Sequence, residues 1–390
     1  MKTRIESQYH ITAKLKGLVK LMAIGLVTVS LASCGNSKTG NVSEDSSANG
    51  EMITDTTAQS GSLSPAGPKP SWAPDIKPEM QVVMEKLAAL GGKPAETLSA
   101  PEARKQPSPA DAVMAVMQEN NIPMPASKVD TTGKDIPVKG GSIHLRIYTP
   151  KGESGPLPVI VYYHGGGWVI ANLDTYSASA QGLAEQVGAV VVSVAYRQAP
   201  EFKFPTAHND SYAAYEWVLK NAASIKGDPK RVAVVGESAG GNLACAVSMM
   251  ARDKKAMMPL HQVLVYPIAS YDMNSESYKK NAAAKPLNKV MMQWFFDKYL
   301  PNKAAGSNPM ISLVNADLKS LPATTIITAQ YDPLQSEGML LADKLKAANV
   351  NVDSKNYDGV THEFFGMAIV VPQAKDAQAY AADALKKALK

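Results

Sequence analysis

Apolar positions along the chain fall in two rhythms, and the changes between them mark out its elements. From Pro78, the residues Met80, Val83, Met84, Leu87 and Leu90 recur at helical spacing until Gly91-Gly92 ends the run. A second amphipathic stretch, with Val113, Val116 and Met117, stops before Pro123. Alternation in Ile143-His144-Leu145-Arg146-Ile147-Tyr148 predicts an early antiparallel strand. Thereafter short apolar runs and amphipathic stretches take turns. Buried strands are expected at Val159–Tyr163, Ala189–Tyr196, Val232–Val235, Val263–Tyr266 and Thr324–Ala329, with Asn351–Tyr357 a more polar candidate near the edge. Helical patterns lie at Asp174–Gln186, Asp210–Ala222, Ser238–Met250, Ser336–Ala348 and Ala374–Leu389. This order predicts an α/β fold with a mostly parallel central sheet flanked by helices. The alternation pauses between Pro267 and Asn308, where Asn288 to Tyr299 carries Val290, Met291, Trp294, Phe295 and Phe296.

The first residues follow neither rhythm. Basic positions precede the apolar run Leu21 to Leu31, which is well short of the ~20 residues that span a bilayer as a helix. It reads as the core of a secretory signal. The run leads into Leu31-Ala32-Ser33-Cys34-Gly35, which resembles a bacterial lipoprotein signal. That resemblance implies loss of residues 1–33, acylation of Cys34 and anchorage in the cell envelope, inner or outer membrane left open. Plain secretion with cleavage nearby is the alternative. Residues 34–75, rich in Ser, Thr, Gly, Asn and Asp, bury no core and read as a disordered tether. Of the formal charge of +5, Lys2, Arg4, Lys14, Lys16 and Lys20 against Glu6 contribute +4 (five less one). The remainder is near neutral and gives no support for nucleic-acid binding. The two cysteines are Cys34 and Cys245. With the first acylated, neither a disulfide nor a zinc site is expected, and Cys245 reads as a small buried hydrophobe.

The chemistry-bearing stretch is Val232-Ala233-Val234-Val235-Gly236-Glu237-Ser238-Ala239-Gly240-Gly241-Asn242. A β-branched run stops at a glycine, turns through a serine and continues as a helix, which is the context a G-x-S-x-G nucleophile elbow requires. Side chains at Gly236 or Gly240 would collide with neighbouring backbone. Upstream, the strand ending at Tyr163 runs into His164-Gly165-Gly166-Gly167-Trp168. An HGGG loop ahead of such an elbow is the oxyanion-hole element of one esterase and lipase branch. The N–H groups of Gly165 and Gly166, with that of Ala239, are the expected donors to a tetrahedral oxyanion.

With HGGGW, Tyr196-Arg197-Gln198-Ala199-Pro200-Glu201, GESAGGNLA, Tyr331-Asp332-Pro333-Leu334 and Thr361-His362-Glu363-Phe364 in this order, the chain resembles the hormone-sensitive-lipase-like (bacterial family IV) esterases of the α/β-hydrolase superfamily. The resemblance runs from about Val138 to the C-terminus. It implies a helical cap formed by residues 76–135 and a second segment at about 271–305, over a catalytic domain of residues 136–390. Helices merely packed on the core are the alternative for the first segment. It also implies that Tyr196, Arg197, Glu201 and Asp210 pack behind the oxyanion loop, with Gln198 replacing a commoner leucine. His164 is expected to brace that loop rather than to react.

A serine nucleophile needs a base, and in this fold the order along the chain is Ser, acid, His. His10, His144, His164 and His208 precede Ser238, and His261 enters its strand at the wrong end, which leaves His362. The acid should follow a buried strand and precede that histidine, as Asp332 does; Asp353 and Asp358 are its rivals. The resembled family often continues the Asp332 motif with another acid, whereas this chain has Gln335-Ser336-Glu337. The expected activity is hydrolysis of short-to-medium-chain carboxylic esters through an acyl-enzyme, with no metal or organic cofactor. Its partners would be a small ester substrate and, through Cys34, a membrane. A deacetylase or amidase using the same three residues is the near alternative, and a ligand-binding homologue the distant one.

Overall fold

A computed structural model describes residues 63–390, so the signal segment and Cys34 lie outside the described residues. In chain order, helices α1 (Pro78–Ala89), α2 (Ala100–Ala103) and α3 (Pro109–Glu119) precede strands β1 (Val129–Val138), β2 (Gly141–Pro150) and β3 (Leu157–Tyr163). Then follow α4 (Ser177–Val187), β4 (Val190–Ala195), α5 (Thr206–Asn221), β5 (Gly227–Glu237), α6 (Ala239–Asp253) and β6 (His261–Val265). Helices α7 (Glu276–Lys280) and α8 (Lys289–Tyr299) fill the pause in alternation. The chain closes with β7 (Ala323–Tyr331), α9 (Gln335–Ala347), β8 (Val352–Thr361) and α10 (Pro372–Ala388).

The eight strands form one sheet in the order β1-β2-β4-β3-β5-β6-β7-β8. From β4 through β8 every pairing is parallel, and β1 and β2 join antiparallel at one edge. Period-two alternation within the strands feeds two cores, one on each face. Val159, Val161, Val192 and Val234 pack toward α5, α6 and α9; Ile160, Tyr162, Val191 and Val235 pack toward α1, α3, α4 and α10. Each such side chain, fully removed from water, contributes roughly 1.5–3 kcal/mol. This burial on both faces explains why the central strands read as continuous apolar runs.

Several boundaries differ from expectation, three of them with a clear physical reason. Strand β1 starts at Val129, so the catalytic sheet begins seven residues before the expected boundary at 136. Only Val129 and Ile136 of β1 are buried, and a solvated edge strand leaves little apolar pattern to read. The tether, expected to run to residue 75, gives way earlier: Ala73 is fully buried, and Trp72 packs edge-on against Tyr331. The Tyr331 hydroxyl also accepts the Asp75 N–H at 2.8 Å. Finally, α4 starts at Ser177 rather than Asp174, because Asn172 accepts from the amides of Asp174 and Thr175 and holds them in a turn.

Candidate active site

Ser238 lies between the C-terminal end of β5 and the first residue of α6, with φ 57° and ψ −117°. No ordinary L-residue chooses that backbone conformation, and the fold holds it from the neighbouring strand. The Ser238 N–H donates to Val265 O at 2.9 Å, and its carbonyl accepts from Ile268 N at 3.1 Å. The turn also needs bare glycines. A Cβ on Gly236 would stand 2.0 Å from the carbonyl oxygen of Gly240, and one on Gly240 only 1.9 Å from that of Tyr163.

Asp332 and His362 follow the C-terminal ends of β7 and β8, so three strand ends on one side of the sheet deliver the three side chains. Asp332 is fully buried; Oδ1 accepts the Leu334 N–H at 2.8 Å, which leaves Oδ2 for the histidine. His362 Nδ1 donates to Asp332 Oδ2 at 2.7 Å, and the Ser238 hydroxyl donates to Nε2 at 2.9 Å. Burial alone would lower the imidazole pKa. The Asp332 carboxylate outweighs that effect, with help from Glu363 and Glu237, and raises it above the ordinary 6.5. Both rival carboxylates, Asp353 and Asp358, are exposed instead.

The other histidines are placed elsewhere. His164 stacks on Tyr196 at 4.3 Å, and its Nδ1 donates to Gly165 O at 2.8 Å, so it does brace the glycine loop. Burial drives its pKa down to about 4. His208 is buried against Tyr299 and Asn242, His261 opens β6 beside Thr325, and His144 pairs with Asp135 on the surface.

The glycine loop is held by its carbonyls. The Tyr196 hydroxyl lies 2.9 Å from His164 O and 3.1 Å from Gly165 O, while Gly166 O accepts from Val169 N and Ile170 N at 3.0 and 2.9 Å. Gly166 has φ 92°, and a Cβ there would meet Ile170 O at 2.2 Å. Gly167 is packed so closely on the Phe295 ring that a Cβ would lie 2.2 Å from it. With the carbonyls turned away, the amides of Gly165, Gly166 and Ala239 find no protein acceptor among the described residues. Behind them, Arg104 donates to Val169 O and Ala199 O and grips Glu201 with both terminal nitrogens. Arg197 clasps buried Asp210, and Gln198 donates to Ile170 O at 2.7 Å and Ala171 O at 3.0 Å, a role leucine could not fill.

A cavity of about 430 Å³ opens over Ser238 and His362. One wall comes from α1 through the start of α3 (Met84, Leu87, Pro107), the other from Leu287, Met291 and Phe295 of the second segment. Of the apolar residues in that segment, Met291 and Phe295 line it. Trp294 and Phe296 belong to the core, and Val290 is 60% exposed. Glu337, in the stretch that departs from the family pattern, is buried and accepts Ala269 N at 2.8 Å, fixing the entry to this second segment. Among the described residues no cluster of His, Cys, Asp and Glu is arranged to hold a metal ion. Cys245 is free and buried, its thiol pushed up to about 12 by that burial.

Sequence reasoning missed a buried acidic group behind the histidine. Glu237 accepts from the hydroxyls of Tyr162 and, at 2.5 Å, Tyr266, and burial together with Glu363 raises its pKa to about 7. Its signal was present as a charged residue at the end of a strand otherwise buried on both faces. Glu363 accepts from the Tyr176 hydroxyl at 2.6 Å.

A family profile describing the α/β-hydrolase fold matches residues 160–366. The chain is 40% identical to the carboxylesterase NlhH of Mycobacterium tuberculosis over 251 residues, which is 63% of this chain and 79% of that protein. To the ethyl acetate hydrolase of Pseudomonas putida it is 30% identical, with 81% of this chain and 99% of the relative covered. The crystal structure of a thermostable esterase from Pseudomonas putida superposes with a TM-score of 0.74 at 35% identity, covering 82% of this chain and 99% of that one. A hyperthermophilic esterase from the archaeon Pyrobaculum calidifontis does so at 0.72 and 34%, over 80% and 98%. The chain belongs to the α/β-hydrolase-fold family, in its hormone-sensitive-lipase-like esterase branch.

Proposed function

We infer that the protein is a carboxylic ester hydrolase working through an acyl-enzyme on Ser238. The observation that carries this is the unbroken line from Asp332 Oδ2 through His362 to Ser238 Oγ, at 2.7 and 2.9 Å, in the floor of an open cavity. His362 takes the Ser238 proton as Oγ attacks the ester carbonyl, then returns it to the departing alcohol. Asp332 keeps the imidazole tautomer and stabilises the imidazolium without itself being protonated. Amides at Gly165, Gly166 and Ala239 receive the negative oxygen. Water then repeats the cycle on the acyl-enzyme. A cavity of about 430 Å³ is toward the small end for ligand pockets and favours short-to-medium acyl chains.

The test is hydrolysis of p-nitrophenyl esters of graded chain length beside an acyl anilide, with fluorophosphonate labelling of Ser238. Turnover of esters well above the anilide, with the adduct on Ser238, is the expected result. Preferred cleavage of the anilide would favour the amidase alternative, and absence of any adduct would end the acyl-enzyme reading. For location, Leu31-Ala32-Ser33-Cys34 supports a lipid-anchored envelope protein. Palmitate labelling in cells should vanish with Cys34→Ser, and labelling that persists would contradict the anchor.

A further inference from the structure

Glu363 directly follows the catalytic histidine with φ 71°, a left-handed backbone that glycine would adopt at less cost. That conformation turns its carboxylate back toward the reaction centre. Oε1 accepts from the Tyr176 hydroxyl at 2.6 Å and stands 3.8 Å from His362 Nε2, the ring nitrogen that faces Ser238. Tyr176 in turn abuts the oxyanion loop, since a Cβ on Gly165 would lie 2.2 Å from its hydroxyl. Glu363 therefore sits in the cavity wall between the base and the oxyanion donors. On its far side, with Tyr176, Ser179 and Glu237, it lines a small pocket of about 20 Å³ that Val113 and Met367 close from the other side. Ser179 Oγ there is fully buried beside Glu237 and the Tyr162 hydroxyl. A space of that size with several polar neighbours suits one water molecule.

A separation of 3.8 Å is too long for a direct hydrogen bond but short enough for one water oxygen to reach both atoms. The two half-reactions make different demands on this pair. In acylation Nε2 handles the single proton of the serine hydroxyl. In deacylation the attacking water carries two, and Nε2 can take only one.

We propose that Glu363 positions the hydrolytic water, its Oε1 accepting one O–H while His362 Nε2 removes the other proton. The water oxygen bonds to the acyl carbon and Nε2 gains that proton. The intermediate then collapses with cleavage of the Ser238 Oγ–carbon bond, and Nε2 protonates Oγ. The second water proton leaves on the carboxylic acid. Tyr176 fixes the carboxylate. This rests on the acyl-enzyme reading.

Methanol separates this role from a merely structural one, because it brings one O–H, which Nε2 consumes, and has no second proton to place. Wild type, Glu363→Ala, Glu363→Gln and Tyr176→Phe are given p-nitrophenyl butyrate with added methanol, and methyl butyrate and butyric acid are quantified. In Glu363→Ala, assayed on the upper pH plateau where His362 is neutral in both proteins, the ester-to-acid ratio should rise on the order of tenfold, with hydrolytic deacylation falling far more than acylation, in line with loss of one hydrogen bond. Glu363→Gln, which keeps shape and a weaker acceptor, and Tyr176→Phe should shift the ratio the same way by less. An unchanged ratio in Glu363→Ala and Glu363→Gln, or acylation falling together with deacylation, would overturn the proposal. Lack of an adduct on Ser238 in wild type would overturn the acyl-enzyme reading beneath it.

Discussion

Ser238 is held at φ 57° by contacts from β5, β6 and α6, so its hydroxyl can be removed without relaxing the turn. Ser238→Ala should lose ~10⁴–10⁶ in kcat with an unchanged unfolding midpoint, because the three residues act as a unit. Wild-type turnover in that variant would show the nucleophile to be misassigned. Asp332→Asn, which spoils the tautomer rather than the geometry, should lose about 10⁴. His362 must be neutral to act as a base, and its pKa is raised above 6.5. Activity should therefore climb with pH through a midpoint above that value in a kcat/KM profile. Since Glu363 is one of the charges that raise it, Glu363→Gln should move that acid limb downward. The serine, histidine and acid of the proposed triad were legible because strand context and chain order favour one candidate for each role, although Asp353 and Asp358 stayed as rivals for the acid until the fold showed both exposed. Glu363 was not, since a carboxylate beside a histidine gains meaning only once the left-handed turn aims it.

At the scale of elements, the legible parts were those with burial on one stripe or on both faces. Helix α8 shows the limit. Its apolar composition marks it as packed, yet periodicity cannot say which apolar positions meet the core and which the cavity. Phe295 meets both, with its ring against Gly167 and in the cavity wall. Phe295→Ala should raise the octanoate-to-butyrate ratio of kcat/KM by about tenfold or more, within the 1–3 kcal/mol that small changes in an apolar pocket supply. A ratio that stays constant would place the acyl chain elsewhere. The same change should lower stability by ~3–5 kcal/mol in urea unfolding, as expected for a truncated buried aromatic. Strand β1 shows the opposite limit, because hydrogen bonding along an edge needs no apolar signature in the sequence.

Across the whole molecule, the sheet places a carboxyl group in its own interior. Glu237 is 1% exposed and titrates near 7 when folded, against an ordinary 4.5. The folded state thus keeps a proton that the unfolded chain releases. The associated stability is fully present below about pH 4.5 and lost as pH rises through 7. Glu237→Gln, neutral at every pH, should melt higher relative to wild type at pH 8 than at pH 5, by a difference worth roughly 2–3 kcal/mol. A gap that does not widen with pH would mean that the group is ionised throughout. The catalytic line and the cavity above it have separate origins: strand ends supply the first, while the second is walled by residues near 84–109 and 285–295, far apart in the chain. Substrate choice can thus drift through two separate stretches, except at Arg104 and Phe295, whose contacts reach the glycine loop and tie the stretches to the reactive machinery. Grafting both pieces from a relative should transplant its chain-length taste along with them.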